Sequence, residues 1–334
     1  MDDELIQLKE VSKKFGKNQV LDAINLTIPE KEIVGIIGAS GEGKTTILKL
    51  LVGFYKPTKG EVTYLRKNIN REMGDIEKLY GFATEDGSFY EKLSVKENIF
   101  HFGKLYGLKN NFIKERYNEL IRLVGLSAAA NTLAENLSIG MKKRLDIACA
   151  LVHNPQVLIM DEPTADLDPL LRKNMLNLIR DINKKGTTIV LTTQLMQEVD
   201  EICDRIAILF NKKIIEEGDP KKIKQKYGKS NIEGVFTKIF SQKRDEIEKE
   251  NESKINHLVK RIKNLKKDDK HEIIKKIKEI KDPEAEVPKN ITPEAIEKVL
   301  REHADEEAVL PDDVLEVIEG HLENVEEESN EKLN

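Results

Sequence analysis

The chain has 334 residues, room for one full α/β domain and a smaller part beside it, since single cores stop growing near ~250 residues. The net charge of −5 is mild but uneven: about +4 over residues 1–240, about +5 over 241–281 and about −14 over 282–334, so the polarity lies in the tail. No N-terminal signal pattern and no apolar run of the ~18–20 residues that span a bilayer is visible, so any membrane role is expected to come through a partner. The two cysteines, Cys149 and Cys203, sit in apolar periodic segments without a CxxC partner. They are expected as buried reduced thiols, not as a disulfide or a metal site, which suits a cytoplasmic protein.

In chain order, residues 4–28 alternate apolar and polar positions around Gly16-Lys17-Asn18, which predicts an antiparallel hairpin. Phe15 stands just before that turn, either as an aromatic free to stack on a base or as an edge-strand packing residue. The run Ile33-Val34-Gly35-Ile36-Ile37 predicts a buried strand, and a helix is expected over 47–53, ended by Gly53 and Lys56-Pro57. A pair of strands, 61–65 and 79–84, is expected next. Between 87 and 153 the spacing turns helical: Ser94 with Glu97 three residues on makes a capping box before Ile99, Phe102, Leu105 and Tyr106. A second helix is expected near 112–124 and a third from Ser138 to about 153. Strand 157–160, helix 169–184, strand 187–192, helix 195–202 and strand 205–210 then alternate, which predicts a mostly parallel sheet with helices on its faces.

Between the strand at 33–37 and the following helix lies Gly38-Ala39-Ser40-Gly41-Glu42-Gly43-Lys44-Thr45-Thr46, a G-x-x-x-x-G-K-[ST] loop in strand–loop–helix context. Its glycines let the backbone close around a polyphosphate, so that amide N–H groups and the helix N-terminus point at anionic oxygens. Lys44 supplies a cation for the β- and γ-phosphates and Thr45 a hydroxyl for Mg2+. At the end of strand 157–160 stand Asp161 and Glu162, either solvated charges or a carboxylate pair facing that loop, one for magnesium and one to polarise an attacking water.

Leu137-Ser138-Ile139-Gly140-Met141, then Lys142-Lys143-Arg144-Leu145, Asp161-Glu162-Pro163-Thr164 and Ala165-Asp166-Leu167-Asp168 give four motifs in order with the phosphate loop. Over about residues 3–240 the chain resembles the ATP-binding cassette family, within it the nucleotide-binding subunits of drug- and antibiotic-exporter systems. The resemblance implies a phosphate-loop fold with an N-terminal antiparallel lobe and a helical subdomain at about 87–153. It implies that Phe15 stacks on adenine, and that two cassettes, in a homo- or heterodimer, pair head to tail with Mg-ATP between them. Ser138, Ile139, Gly140 and Met141 of one subunit would then meet the γ-phosphate held by the other, with Asp168 at the dimer seam. It further implies an ATPase that drives a separate integral membrane permease from the cytoplasmic face.

Three positions depart from the family's pattern. Ile139 replaces a glycine, Glu85 falls where the family has a glutamine that touches magnesium and water, and Gln194 falls where it has a switch histidine. A carboxylate at 85 can still bind Mg2+ but adds negative charge beside phosphates. The Gln194 amide can donate to a phosphate oxygen but cannot carry a positive charge. Normal binding of Mg-ATP with slow hydrolysis is therefore expected.

Residues 231–240 look like the closing segment of exporter-type cassettes. Beyond them, 241–281 carries a Lys-rich helical stripe (Ile255, Leu258, Val259, Ile262, Leu265, then Ile273, Ile274, Ile277), expected as an amphipathic hairpin or dimerising arm. Its interspersed acids and lack of aromatics argue against nucleic acid. A proline-rich linker is expected at 282–293, a small acidic helical segment at 294–325 with Pro293 opening its first helix, and a disordered end at 326–334. The competing reading is a soluble switch or assembly factor, in which ATP governs dimerisation and the tail does the work.

Overall fold

A computed structural model describes residues 4–242. Its contacts separate Met1–Lys238 from Ile239–Asn334, and the first unit holds every candidate site residue. Apart from residues 241 and 242, the expected helical segment 241–281, linker 282–293, acidic segment 294–325 and chain end 326–334 lie outside the described residues.

The chain opens with β1 (Glu4–Phe15) and β2 (Asn18–Pro29), the expected hairpin, in which Phe15 faces Asn18 across the turn. β3 (Ile33–Ile37) follows, buried at all five positions as a strand covered on both faces must be. After it come α1 (Lys44–Leu51), β4 (Lys59–Tyr64), β5 (Lys67–Asn68) and the single turn α2 (Met73–Ile76). β1 pairs with both β2 and β4, and β4 with β5, giving an antiparallel sheet in the order β2-β1-β4-β5.

The two strands expected at 61–65 and 79–84 are present as β4 and β6 (Tyr80–Ala83), but they belong to different sheets. β6 leaves the antiparallel lobe and runs parallel to β7 (Val157–Met160). β5 and α2 occupy the connection from β4, so it is no hairpin turn and carries the chain over to the other sheet.

Between β6 and β7 lie three helices: α3 (Val95–Leu105), α4 (Asn110–Leu123) and α5 (Ile139–Leu151). The capping box that starts α3 is complete, since Ser94 Oγ accepts from Glu97 N–H while the Glu97 carboxylate accepts from Ser94 N–H at 2.8 Å. Then follow α6 (Pro169–Lys184), β8 (Thr188–Thr193), α7 (Met196–Ile202), β9 (Arg205–Phe210), β10 (Lys213–Gly218) and α8 (Pro220–Tyr227), with a further helix from 232. The large sheet has the order β10-β9-β3-β8-β7-β6, parallel throughout except for β10 against β9. β3 thus stands centrally, flanked by strands that come much later in the chain. Such a reversal of strand order opens a crevice at the carboxyl ends of the strands, where ligands of α/β sheets bind.

Two apolar clusters hold this sheet. One joins the inner face of the antiparallel lobe (Leu8, Val11, Ile24, Ile28) to α1 and to Ile36, Ile159 and Leu209. The other joins α3, α4 and α5 to α6 and to Leu158, Met160 and Leu191. Neighbouring residues of β7 therefore feed opposite cores, and each fully buried Leu or Ile contributes about 1.5–3 kcal/mol of apolar transfer. Cys149 is buried and Cys203 half-buried, neither in a disulfide, and burial pushes both thiols up. Among the described residues no helix is long and apolar enough to cross a membrane.

Candidate functional site

The carboxyl ends of β3, β8 and β7 lie side by side, and the sequence places a chemical group at each. After β3 the chain turns through Gly38–Gly43 and enters α1 at Lys44. Two glycines here are sterically required. A Cβ on Gly38 would meet the Leu209 carbonyl at 2.7 Å, and Gly43 has φ +104 with Val20 Cγ1 3.1 Å from where a Cβ would stand. Ser40 and Gly41 are exposed, Ala39, Thr45 and Thr46 half-buried, and Glu42 turns aside to accept from Lys212 N–H at 3.4 Å.

Lys44 is 6% exposed, and its Nζ folds back to donate to the carbonyls of Gly38 at 3.0 Å and Ala39 at 3.2 Å. It also stands 3.5 Å from Oε1 of Glu162. Since β8 separates β3 from β7, Glu162 reaches across one strand to do so.

Glu162 and Asp161 are 8% and 4% exposed, and β8 positions both. Thr192 Oγ1 donates to Asp161 Oδ1 at 2.6 Å and accepts from Glu162 N–H at 3.0 Å. Gln194 N–H donates to Glu162 Oε2 at 3.2 Å, leaving Oε1 buried with no hydrogen-bond partner. Glu162 has φ +46, a left-handed conformation uncommon for a side chain of this size, and its carbonyl accepts from Lys143 Nζ at 3.3 Å. Burying a carboxylate oxygen unpaired is costly unless something compensates it. Here the compensation is the Lys44 ammonium, just beyond hydrogen-bonding geometry.

Other expected residues surround this centre. Glu85 is exposed in the loop after β6, and its carbonyl accepts from Lys143 Nζ at 3.0 Å. Together with Asp161, Pro163, Asp166 and Lys143 it lines a cavity of about 250 Å³. The Gln194 side chain is exposed. Phe15 is 41% exposed, its ring edge-on to Tyr55 at 5.0 Å and under Lys13 Nζ at 4.9 Å. The hairpin that carries it also carries Val20 and Leu21, the neighbours of Gly43, so the aromatic and the phosphate loop are held by one element.

Ser138 caps α5, its hydroxyl accepting from Met141 N–H at 3.4 Å, with Ile139 57% exposed, Gly140 buried and Met141 half-buried. Among the described residues no hydrogen bond or ion pair joins Ser138–Met141 to the 38–46 loop of the same chain. Asp168 is exposed and caps α6, accepting from Leu170 and Leu171 N–H at 2.9 and 3.0 Å.

Sequence reading missed Thr192 and Lys143. The signal for the first was present, two hydroxyls closing a strand whose middle is Ile, Val and Leu. For Lys143 there was none, since its reach to two carbonyls depends on how α5 packs.

These donors suit a magnesium nucleotide. Among the described residues no cluster of three His, Cys, Asp or Glu is set to hold a metal ion. Mg2+ takes one or two protein oxygens and completes its shell with water and phosphate. A hydroxyl at Thr45 and a carboxylate at Asp161 are donors of the right kind.

Comparison with known proteins agrees. The profile of the ABC transporter family matches residues 21–165. The chain is 34% identical over 220 residues to a probable multidrug ABC transporter ATP-binding protein, YbhF, of Escherichia coli, covering 66% of this chain and 38% of that protein. It is 39% identical over 224 residues to the methionine import ATP-binding protein MetN of Clostridioides difficile, covering 66% of this chain and 70% of that one. Among solved structures, an ATP-binding subunit of an ABC transporter superposes with TM-score 0.65 at 25% identity, over 71% of this chain and 99% of the other. A bacterial cassette solved as a dimer superposes with TM-score 0.59 at 29% identity, over 64% and 98%. The chain belongs to the ATP-binding cassette transporter family.

Proposed function

We propose that this chain powers a transporter whose membrane-spanning part is a separate polypeptide, that it works from the cytoplasmic face, and that its intrinsic ATP turnover is slow. The observation that carries the reading is the buried, unpartnered Oε1 of Glu162 facing Lys44 beside Gln194. A carboxylate so placed is free to accept a proton from an attacking water once a triphosphate draws Lys44 away.

The residues take the following roles. The amides of Gly38–Thr46 and the ammonium of Lys44 bind the triphosphate, and Phe15 stacks on the base. Thr45 and Asp161, with Glu85 nearby, would hold Mg2+, whose charge offsets that of the β- and γ-phosphates. Glu162 orients and deprotonates the water. Gln194 donates its side-chain amide toward the γ-phosphate, with no positive charge to offer as negative charge builds there. Ser138, Ile139, Gly140 and Met141 of a second cassette close the site, using the α5 N-terminus as donor, and Asp168 lies at the seam. Support for pairing comes from the exposure of Ile139 and Leu170, apolar side chains at 57% and 69% that a partner would cover.

We assign the direction as export, on the likeness of the Ser138–Met141 motif and the 231–240 segment to exporter-type cassettes. The relatives include proteins named for import as well as for multidrug transport, and this chain spans only 38% of the latter. The test is purification from detergent extract with ATP and Mg2+. Co-purification of a multi-span partner that accelerates hydrolysis supports the proposal. A soluble, partner-free dimer whose assembly follows ATP would establish the switch reading instead.

A further inference from the structure

A second buried carboxylate stands beside the site with no role in the chemistry above. Glu198, in the first turn of α7, is 3% exposed. Its Oε2 accepts from Thr193 Oγ1 at 2.8 Å, and its Oε1 lies 3.6 Å from Nε of Arg172 on α6, with the Thr164 hydroxyl also turned to the carboxylate. Burial pushes the carboxyl above its ordinary range, so an ionised group here costs free energy that an apolar residue would not. Something must be gained by it.

The gain lies in the proton of Thr193. A hydroxyl has one proton and two lone pairs. With the proton directed at Glu198, a lone pair is left for Leu195 N–H, which donates to Thr193 Oγ1 at 3.0 Å. The residues on either side of Gln194 are thereby tied to one oxygen. Between them, Gln194 N–H donates to Glu162 Oε2 at 3.2 Å. Arg172 extends the same network, since its guanidinium also donates to the Leu167 carbonyl at 3.1 Å, one residue before Asp168.

We propose that Glu198 is a positioning residue for hydrolysis: by orienting the Thr193 hydroxyl it clamps the turn 193–195 and so holds the Gln194 backbone N–H against the Glu162 carboxylate. The inference rests on the reading of Glu162 as the base. Where the residue at 194 has no positive charge, the accuracy of its placement matters more, and misplacement of about 1 Å near reacting atoms costs on the order of 100-fold in rate.

The test compares Glu198→Leu, Glu198→Gln, Thr193→Val and Thr193→Ser in the full chain, with ATP affinity and single-turnover hydrolysis measured separately. Glu198→Leu and Thr193→Val are expected to slow hydrolysis roughly 10- to 100-fold while ATP Kd stays within about twofold. Glu198→Gln, whose amide oxygen still accepts from Thr193, and Thr193→Ser, which keeps the hydroxyl, are expected to recover most of the rate. The Glu198→Leu/Thr193→Val double variant should be no slower than the worse single one. Should Glu198→Leu fail to fold, the Thr193→Val and Thr193→Ser pair decides alone. Hydrolysis at the parent rate in Thr193→Val, or equal losses in Thr193→Val and Thr193→Ser, overturns the clamp. A Glu162→Gln control separates the two levels. If that variant hydrolyses ATP like the parent, the base assignment fails; if it is inactive while the clamp variants hydrolyse at the parent rate, only the clamp fails.

Discussion

The ammonium of Lys44 and the carboxylate of Glu162 face each other at 3.5 Å across the width of one intervening strand, both nearly out of solvent. Among the described residues neither has a better partner of opposite charge, and a triphosphate entering the loop competes with Glu162 for the cation. Binding is then an exchange: the phosphate gains the ammonium, and the carboxylate is released toward water.

Lys44→Ala should therefore remove more than one contact. Truncating one member of a buried charge pair typically costs 2–5 kcal/mol, so ATP affinity is expected to fall by roughly 100-fold or more. Titration calorimetry of the full chain with Mg-ATP checks this. Unchanged affinity would mean that the loop does not bind the triphosphate.

Glu162→Gln should have the opposite effect on binding. The amide keeps an acceptor for Gln194 N–H but no longer competes as an anion for Lys44 or repels phosphate. Tighter ATP binding, loss of hydrolysis and a dimer seen by size-exclusion chromatography in ATP are expected together. A monomeric Glu162→Gln chain in saturating Mg-ATP would count against closure by a second cassette.

Gln194→His restores the charge that the glutamine lacks, on a backbone whose N–H already meets Glu162. One well-placed stabilising donor is commonly worth 100- to 1000-fold. The glutamine supplies part of that, so a gain of roughly tenfold in kcat with KM little changed is expected in steady-state phosphate release. No gain would show that slow turnover has another cause or is absent.

How much of this could be read beforehand varied with the physics involved. Local signals were reliable: the Ser94/Glu97 capping box, the Asp168-Pro169 start of α6 and the all-apolar β7 are written in adjacent residues. β10 and α8 were not read, although Asp219, Pro220 and Gly228 mark both ends of the helix; an edge strand of Lys, Ile and Glu carries no core pattern. The partner of β6 was not read, because strand pairing is decided by what fills the connection. Within the site, the loop and the two acids were legible as residue types, whereas the parts of Thr192, Lys143 and Glu198 depend on which strand ends and helices come to lie side by side.

Asp146, 2% exposed on α5, holds the 84–88 loop by accepting from Thr84 N–H, Ser88 N–H and Ser88 Oγ–H at 2.7–2.9 Å. In Asp146→Asn one oxygen becomes an NH2 group, and in either orientation it points a donor at a donor. A loss of about 1–3 kcal/mol is expected from the urea unfolding midpoint. A variant as stable as the parent would mean that the loop finds other partners.

His153 offers a pH test with a definite sign. Its ring stacks on Tyr106 at 3.6 Å and donates through Nε2 to the Tyr80 carbonyl at 2.9 Å, while Nδ1 is buried without a partner. Burial, opposed by the Tyr80 bond and reinforced by the positive charge of Arg116, lowers its pKa from 6.5 to about 4. The unfolded chain thus takes up a proton below about pH 6.5 that the folded chain refuses until about pH 4, and stability falls as the pH drops through that window. At about 1.4 kcal/mol per pKa unit the loss approaches roughly 3 kcal/mol at the acid end. His153→Phe keeps a ring against Tyr106 and cannot titrate. Above pH 7 it should be less stable by about 1 kcal/mol for the lost hydrogen bond. Its unfolding free energy should then decline less steeply than the parent's between pH 6.5 and 4, so the two curves cross. Parallel curves over that range would show that His153 is not held neutral by the fold.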